Sequence, residues 1–216
     1  MESQSQIKIV SDIFSINKKY VYNEQYYWTD ENTFKLWTSI FENISFHNDV
    51  FGHKDNFLSL IVVCDTNNDI ELDIIDGKQQ LTALTIFLIT LCEKFVEIDK
   101  KSLADSIYDN YIIGRNKDGE RYFKLENKSY LDMVQNISKV ARYPSSDQKI
   151  NVYHSYDSFS RYLSRQYLSN YFELDDEKYE QLLKAIRDQA LKHSMAIFIN
   201  VNDKAFANKN IGYLKQ

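Results

Sequence analysis

Apolar residues recur at intervals of three and four along most of the chain, and this spacing predicts a mainly helical protein. The first predicted helix begins near Thr29 or Asp30, either of which can cap its amino end. Its apolar positions are Phe34, Trp37, Ile40, Phe41 and Ile44. A second helix begins at Gln79 and carries on one face Leu81, Leu84, Leu88, Leu91, Cys92 and Phe95.

Short β-branched runs predict a few strands. Residues 57–65 (FLSLIVVCD) and 70–76 (IELDIID) flank a turn at Asn67-Asn68, which predicts an antiparallel hairpin. A last apolar run, MAIFINV at residues 195–201, predicts a buried strand. Residues 13–22 fit either a short strand or an extended arm.

Between the hairpin and the last strand, the chain reads as mostly helical. Helical spacing extends from Asp99 to Tyr111, recurs near Lys128 to Val140, and continues in two long segments around Phe159 and Leu183. A short strand-like run, RYFKLE at residues 121–126, interrupts it.

These patterns predict an α+β, helix-rich fold in which a small mixed sheet carries a large helical insertion. We expect an α/β core in residues 1–97, a helical region in 98–193, and a returning strand and tail in 194–216 that complete the core. The amino terminus lacks a signal-peptide pattern, and no apolar run reaches the roughly 20 residues that a membrane span needs. We therefore expect a cytoplasmic protein without membrane contact.

Composition and charge narrow the classes of function. The 216 residues are 44% hydrophobic, which is typical of a globular chain. A net charge of −5 gives no global positive field for DNA, so any DNA contact has to be local. The most basic stretch is Arg115–Lys128, whose mixed charges are more typical of a solvated loop. Cys64, Cys92 and the four histidines show neither disulfide nor metal-ligand spacing.

The most informative stretch is the junction between the second predicted strand and the long helix, where Asp76-Gly77-Lys78-Gln79 follows an apolar run. One interpretation is structural: Asp76 caps the helix, and Gln79 completes a capping-box-like arrangement. The other is functional. Gly77 permits close backbone approach, the helix amino end attracts anions, Lys78 reaches a phosphate oxygen, and Asp76 holds a metal ion or orients water.

The motif DGKQQLTAL, residues 76–84, resembles the signature DGQQR(L)TTL of the GmrSD-type restriction endonuclease N-terminal domains, a ParB/sulfiredoxin-like family. Three further segments resemble that family in the same order. YVYNEQYYW at 20–28 is similar to its IPxYQRxYxW box, FLSLIV at 57–62 to its FLGSIV strand, and IFINVND at 197–203 to a later strand. The resemblance spans about residues 12 to 205.

This resemblance implies a ParB-like sheet and a nucleotide-binding domain of a modification-sensing, type IV-like restriction or phage-defence system. It implies an NTP, either GTP or ATP, with Mg²⁺ as cofactors, and DNA and a nuclease subunit or domain as partners. It assigns catalytic roles to Asp76, Gln79 and Gln80, cofactor contacts to Gly77, Lys78, Tyr26 and Trp28, and a metal ion to Asp76. Self-association stays open.

The chain departs from the family pattern at positions that carry charge. Gln80 replaces an arginine, Lys78 replaces a glutamine, and Asn23-Glu24 stand where Gln-Arg would be. The small Gly-Ser pair of the strand box is Ser59-Leu60. Each lost arginine removes charge-assisted hydrogen bonds worth about 1.5–3 kcal/mol, so we expect weak or absent NTP hydrolysis.

Two alternatives remain at this stage. The first is that the domain is a catalytically inactive binding or regulatory module that holds DNA or a partner subunit. The second concerns Tyr26 and Trp28, which fit core packing as well as stacking on a nucleobase. No His-Asn-His nuclease spacing occurs in the sequence, so we do not expect this chain alone to cut DNA.

Overall fold

The computed structural model describes residues 4–127, 147–205 and Lys209. Its strands are β1 (Gln4–Ile9), β2 (Lys19–Tyr22), β3 (Ile44–His47), β4 (Val50–His53), β5 (Asn56–Asp65), β6 (Glu71–Asp76), β7 (Ile113–Arg115), β8 (Arg121–Phe123), β9 (Leu125–Asn127) and β10 (Ser194–Val201). Its helices are α1 (Val10–Ser15), α2 (Asp30–Phe41), α3 (Lys78–Glu97), α4 (Lys101–Ile107), α5 (Asp147–Tyr162), α6 (Arg165–Leu168) and α7 (Asp176–Asp188). Two π-helical turns, Tyr108–Ile112 and Gln189–His193, follow α4 and α7. The helix predicted near Lys128 to Val140 lies outside the described residues.

The main sheet has six strands in the order β1-β10-β5-β6-β2-β9 and is mixed, which confirms the predicted α+β class. The predicted hairpin is confirmed, since β5 and β6 pair antiparallel. β10 pairs parallel with β5 and antiparallel with β1. β2 pairs parallel with both β6 and β9. The carboxyl ends of β2 and β6 therefore lie at the same edge of the sheet.

Two segments contribute to the sheet in a way that their local pattern does not show. Residues 13–22, which fitted a strand or an arm, contain the end of α1 and then β2, a strand inside the sheet. The mostly helical segment supplies β9, which is the outer neighbour of β2. β2 pairs Lys19 with Glu71 of β6 and Tyr20 with Leu125 of β9, so its partners lie far away in the chain and are not visible in the local sequence.

One face of the sheet packs against the helices and forms the main core. That core includes Tyr20, Ile61 and Phe198 from strands and the buried side chains of α3. The opposite face carries a smaller apolar cluster of Val62, Cys64, Ile75, Ile199 and Val201.

Helix α3 runs through the main core and corrects one expectation. Its 20 residues, Lys78–Glu97, are long and apolar enough to cross a membrane by length and composition, although no such segment was expected. However, 67% of its most apolar stretch is buried inside the protein. A helix at the centre of a folded core is apolar on nearly every side because it is surrounded by other apolar side chains.

The start of α2 confirms the predicted cap. Thr29 is the N-cap residue, its hydroxyl accepts a hydrogen bond from the Asn32 amide, and the Asn32 side chain accepts from the Thr29 amide. This reciprocal arrangement fixes where the helix begins and hence the direction in which residues 23–28 approach it.

Candidate functional site

Gly77 forms the turn between β6 and α3. Its φ of 89° lies in the left-handed region that other residues rarely adopt. A Cβ at this position would lie 3.0 Å from Ile61 Cγ1 and 3.1 Å from the Leu60 carbonyl oxygen. The glycine therefore allows the amino end of α3 to sit directly against β5, as the functional interpretation of the motif required.

The predicted capping role of Asp76 is wrong. Asp76 is the last residue of β6 and is paired with Val62 of β5, so it has strand conformation. The N-cap residue is Gly77, which has no side chain to cap the helix. Because Asp76 still pairs with β5, the helix begins one residue later than the capping interpretation assumed. Gln79 is then the second helical residue and not the third, which is the position that a capping box needs.

Gln79 instead holds the segment that precedes α2. Its side-chain Nε2 donates to the Gln25 carbonyl at 2.9 Å, and its Oε1 accepts from the Tyr27 amide at 3.1 Å. Both bonds are made to the backbone of residues 23–28, hereafter the 23–28 loop. An amide with both ends engaged in this way positions a loop, and it keeps one N–H and one oxygen lone pair for other partners.

Two further amide side chains hold the same loop. Asn127 Nδ2 donates to the Glu24 carbonyl at 2.6 Å, and Asn151 Nδ2 donates to the Tyr26 carbonyl at 3.1 Å. Together with Gln79, they give the consecutive carbonyls of residues 24, 25 and 26 one amide donor each. The donors come from β9, α3 and α5, so the loop is tied to three separate elements.

Lys78, the first residue of α3, forms an ion pair with Glu24 of this loop. The Lys78 side chain is 18% exposed and that of Glu24 is 51% exposed. The pair lies in a polar cleft of about 350 Å³, hereafter the junction cleft. The cleft is lined by Tyr22, Asn23, Glu24, Asp73, Ile74, Ile75, Lys78 and Lys204.

The junction cleft contains a second ion pair, between Lys204 Nζ and Asp73 Oδ2 at 2.7 Å. Of the residues with described positions, two ammonium groups and two carboxylates thus line the cleft, and their formal charges cancel. Sequence reasoning missed both residues of this second pair. Asp73 alternates with buried neighbours in β6 as any solvent-facing strand residue does, and Lys204 follows β10 more than a hundred positions later.

Tyr22 closes the inner wall of the cleft. Its hydroxyl lies 2.6 Å from Thr82 Oγ1, and Thr82 in turn donates to the Lys78 carbonyl at 2.8 Å. Burial raises the pKa of Tyr22, although hydrogen bonds from Thr82 and Asn127 oppose the shift. The phenol is therefore neutral at physiological pH, and it anchors the first turn of α3.

The remaining predicted residues lie elsewhere. Gln80 and Trp28 line a different groove of about 210 Å³ between α2 and α3, hereafter the α2–α3 groove. Tyr26 is 1% exposed, and its hydroxyl lies 2.9 Å from Ser155 Oγ, so its ring is in the core. Of the predicted residues, Lys78 thus lines the junction cleft, with Gly77 preceding it in the chain, whereas Gln80, Trp28 and Tyr26 lie elsewhere.

Asp76 remains the predicted metal ligand. Within the described residues, no group of three or more His, Cys, Asp or Glu side chains has the arrangement of a metal site. Magnesium is commonly bound through only one or two carboxylates together with phosphate oxygens and water. Asp76 does not line the junction cleft, and its role as a ligand of an ion that arrives with a nucleotide stays a prediction.

Comparison with protein families identifies a match over most of the chain. The model of the family described as "GmrSD restriction endonuclease, N-terminal domain" matches residues 10–209. The matched range contains the β6–α3 junction, the 23–28 loop, Asn127 and β10. A comparison with curated proteins finds no match.

Proposed function

Because the chain belongs to the GmrSD restriction endonuclease N-terminal domain family, we propose that it is the nucleotide-binding domain of a modification-sensing restriction or phage-defence system. Family membership confirms the resemblance found in the sequence and supports a role in restriction. The finer proposal is that the junction cleft binds the phosphate of an ATP or GTP molecule with little or no hydrolysis.

The observation that carries this proposal is the arrangement of Gly77 and Lys78. Gly77 brings the amino end of α3 against β5, and Lys78 projects from the first helical position into the junction cleft. The first amides of a helix have no partner within it and carry partial positive charge. A 20-residue helix that opens onto a polar cleft beside a lysine has the composition of a phosphate site.

The positions of the other signature residues argue against rapid hydrolysis. Gln79 is engaged by the backbone of the 23–28 loop at both ends of its amide. Gln80, at the family's arginine position, lines the α2–α3 groove and not the junction cleft. In this proposal Gln79 holds the loop and Gln80 lies outside the junction cleft, so neither orients an attacking water or stabilises the charge of a phosphoryl transition state.

The proposal is tested by calorimetric titration of the wild-type chain with ATP and GTP, with and without Mg²⁺, and by phosphate release from the same preparations. We expect weak binding and phosphate release close to the enzyme-free background. Lys78→Gln should lower nucleotide affinity by about tenfold or more, because it removes a charge-assisted contact worth roughly 1.5–3 kcal/mol.

Lys101→Gln is the matched control. Lys101 pairs with Asp105 within α4, its side chain is 76% exposed, and it does not line the junction cleft. Equal affinity losses in the two variants would show that net charge, and not the cleft, governs binding. Multiple-turnover phosphate release that disappears in Lys78→Gln would contradict the proposed absence of hydrolysis.

The alternative function, an inactive module that holds a partner subunit, has one observation in its favour. On the sheet face opposite the helices, Ile7 is 72% exposed and Phe57 is 55% exposed. They are in register with Ile197 and Met195 of β10, which are half-buried, so the four apolar side chains share one face of the sheet. Such a surface fits a protein partner better than DNA. It becomes the leading account if the titrations detect no nucleotide binding.

A further inference from the structure

We infer that Glu24 is the specificity-determining residue of the junction cleft, and that its carboxylate selects against highly charged phosphate ligands. The inference rests on the proposed function, since it concerns which nucleotides the cleft accepts. Glu24 pairs with Lys78, the cation that a ligand phosphate would meet beside the first turn of α3. The Glu24 carboxylate therefore occupies, beside the Lys78 ammonium group, the position that a phosphate of the ligand would take.

The geometry of the 23–28 loop keeps Glu24 in this position. An exposed ion pair is usually weak because two long side chains must both be ordered. Here the backbone on one side of the pair is already ordered, since the Glu24 carbonyl accepts from Asn127, a residue only 1% exposed. The two following carbonyls are held by Gln79 and Asn151. The loop therefore cannot carry Glu24 away without breaking several hydrogen bonds.

Among the residues that the structure describes, the rest of the cleft offers no uncommitted cation to replace Lys78. Lys204, the other lysine that lines the cleft, pairs with Asp73 at 2.7 Å. Within the described part of the chain, each ammonium group in this cleft thus has its own carboxylate. An incoming phosphate has to displace Glu24 from Lys78 while remaining close to its negative charge.

Repulsion from Glu24 grows with the charge of the ligand. A nucleoside monophosphate carries less negative charge than a diphosphate, and a diphosphate less than a triphosphate. The wild-type cleft therefore gains little or no affinity from each added phosphate, although each brings new contacts. Removing the carboxylate should free Lys78 and restore a dependence on phosphate number.

The test is calorimetric titration of wild type and Glu24→Gln with AMP, ADP and ATP, without Mg²⁺ and at low ionic strength, where charges are least screened. The expected gain in Glu24→Gln increases from AMP to ADP to ATP and reaches about tenfold or more for ATP. The double variant Glu24→Gln/Lys78→Gln should lose this gain, because the benefit depends on the freed ammonium group.

Glu31→Gln is the matched control, since Glu31 is 75% exposed, pairs with Lys35 on α2, and loses the same charge when substituted. Equal gains in Glu24→Gln and Glu31→Gln would overturn the inference, because net charge would then explain both. Thermal unfolding verifies that each variant is folded, and Glu24→Ser provides a second substitution if Glu24→Gln is not.

The remaining outcomes separate the inference from the proposed function. If the wild type binds nucleotide through Lys78 but Glu24→Gln binds ATP no more tightly, the inference is overturned and the proposed function stands. If neither protein binds any of the three nucleotides, both are overturned.

Discussion

At the scale of single residues, Gly77 does more than any other position to shape the site. Its φ is positive, and a Cβ added at this position would lie only 3.0 Å from Ile61 and 3.1 Å from Leu60. Both features disfavour any residue other than glycine. Gly119 also has a positive φ, 83°, but a Cβ at that position would meet nothing within 4 Å. Substitution of Gly119 therefore measures the cost of backbone strain alone, whereas substitution of Gly77 measures strain together with close packing.

Substitution of Gly77 by alanine is expected to lower the free energy of unfolding by about 2–3 kcal/mol, since it adds overpacking to left-handed strain. Gly119→Ala should cost only about 1–2 kcal/mol, because strain alone applies. Urea unfolding of the two variants and the wild type measures both changes. Equal losses would mean that α3 can move away from β5 without cost.

Residue types alone predicted part of this site. The sequence motif indicated that Gly77 allows close approach, which its contacts with β5 confirm. It also indicated that Lys78 reaches an anionic oxygen; the structure places Lys78 in a polar cleft, and anion binding there stays a prediction. It could not show that Asp76 stays in the β5–β6 ladder, because that depends on pairing with Val62. Nor could it show that Gln79 and Gln80, adjacent in the chain, face different surroundings.

At the scale of elements, the conformation of the 23–28 loop is set by tertiary contacts and not by its own sequence. Its own sequence contains neither proline nor glycine to fix its shape. Three amide side chains from β9, α3 and α5 fix it instead. Local pattern predicted α2 and the β5–β6 hairpin because their contacts are close in sequence. It could not predict that β9 lies beside β2, which is what brings Asn127 to the loop.

Asn127→Ala is expected to loosen this loop. The substitution leaves the Glu24 carbonyl without its donor and should cost about 1–3 kcal/mol of stability. Hydrogen–deuterium exchange of peptides covering residues 23–28 should become faster than in the wild type. Asn110→Ala is the control, because Asn110 is exposed and donates to the Ser106 carbonyl one turn away. Unchanged exchange in Asn127→Ala would show that Gln79 and Asn151 suffice to hold the loop.

At the scale of the whole molecule, the fold places its polar cleft at one edge of a mixed sheet whose helices pack on one face. α3 is buried along most of its length but begins at this edge, so its amino end is presented at the surface of an otherwise apolar core. The predicted α+β class follows from counting helical and strand-like runs. The order of the six strands does not, because β2, β9 and β10 find their partners over long distances in sequence.

The most direct measurement of the central claim is a two-dimensional amide NMR titration of the wild-type chain with ATP, GTP and unphosphorylated adenosine. ATP and GTP are predicted to shift the amide resonances of Lys78, Gln79 and Gln80 and those of the 23–28 loop, whereas adenosine should leave the α3 amides unchanged. Shifts centred instead on Asn32 and Lys35 in the α2–α3 groove, or no shifts at millimolar nucleotide, would contradict a phosphate site in the junction cleft.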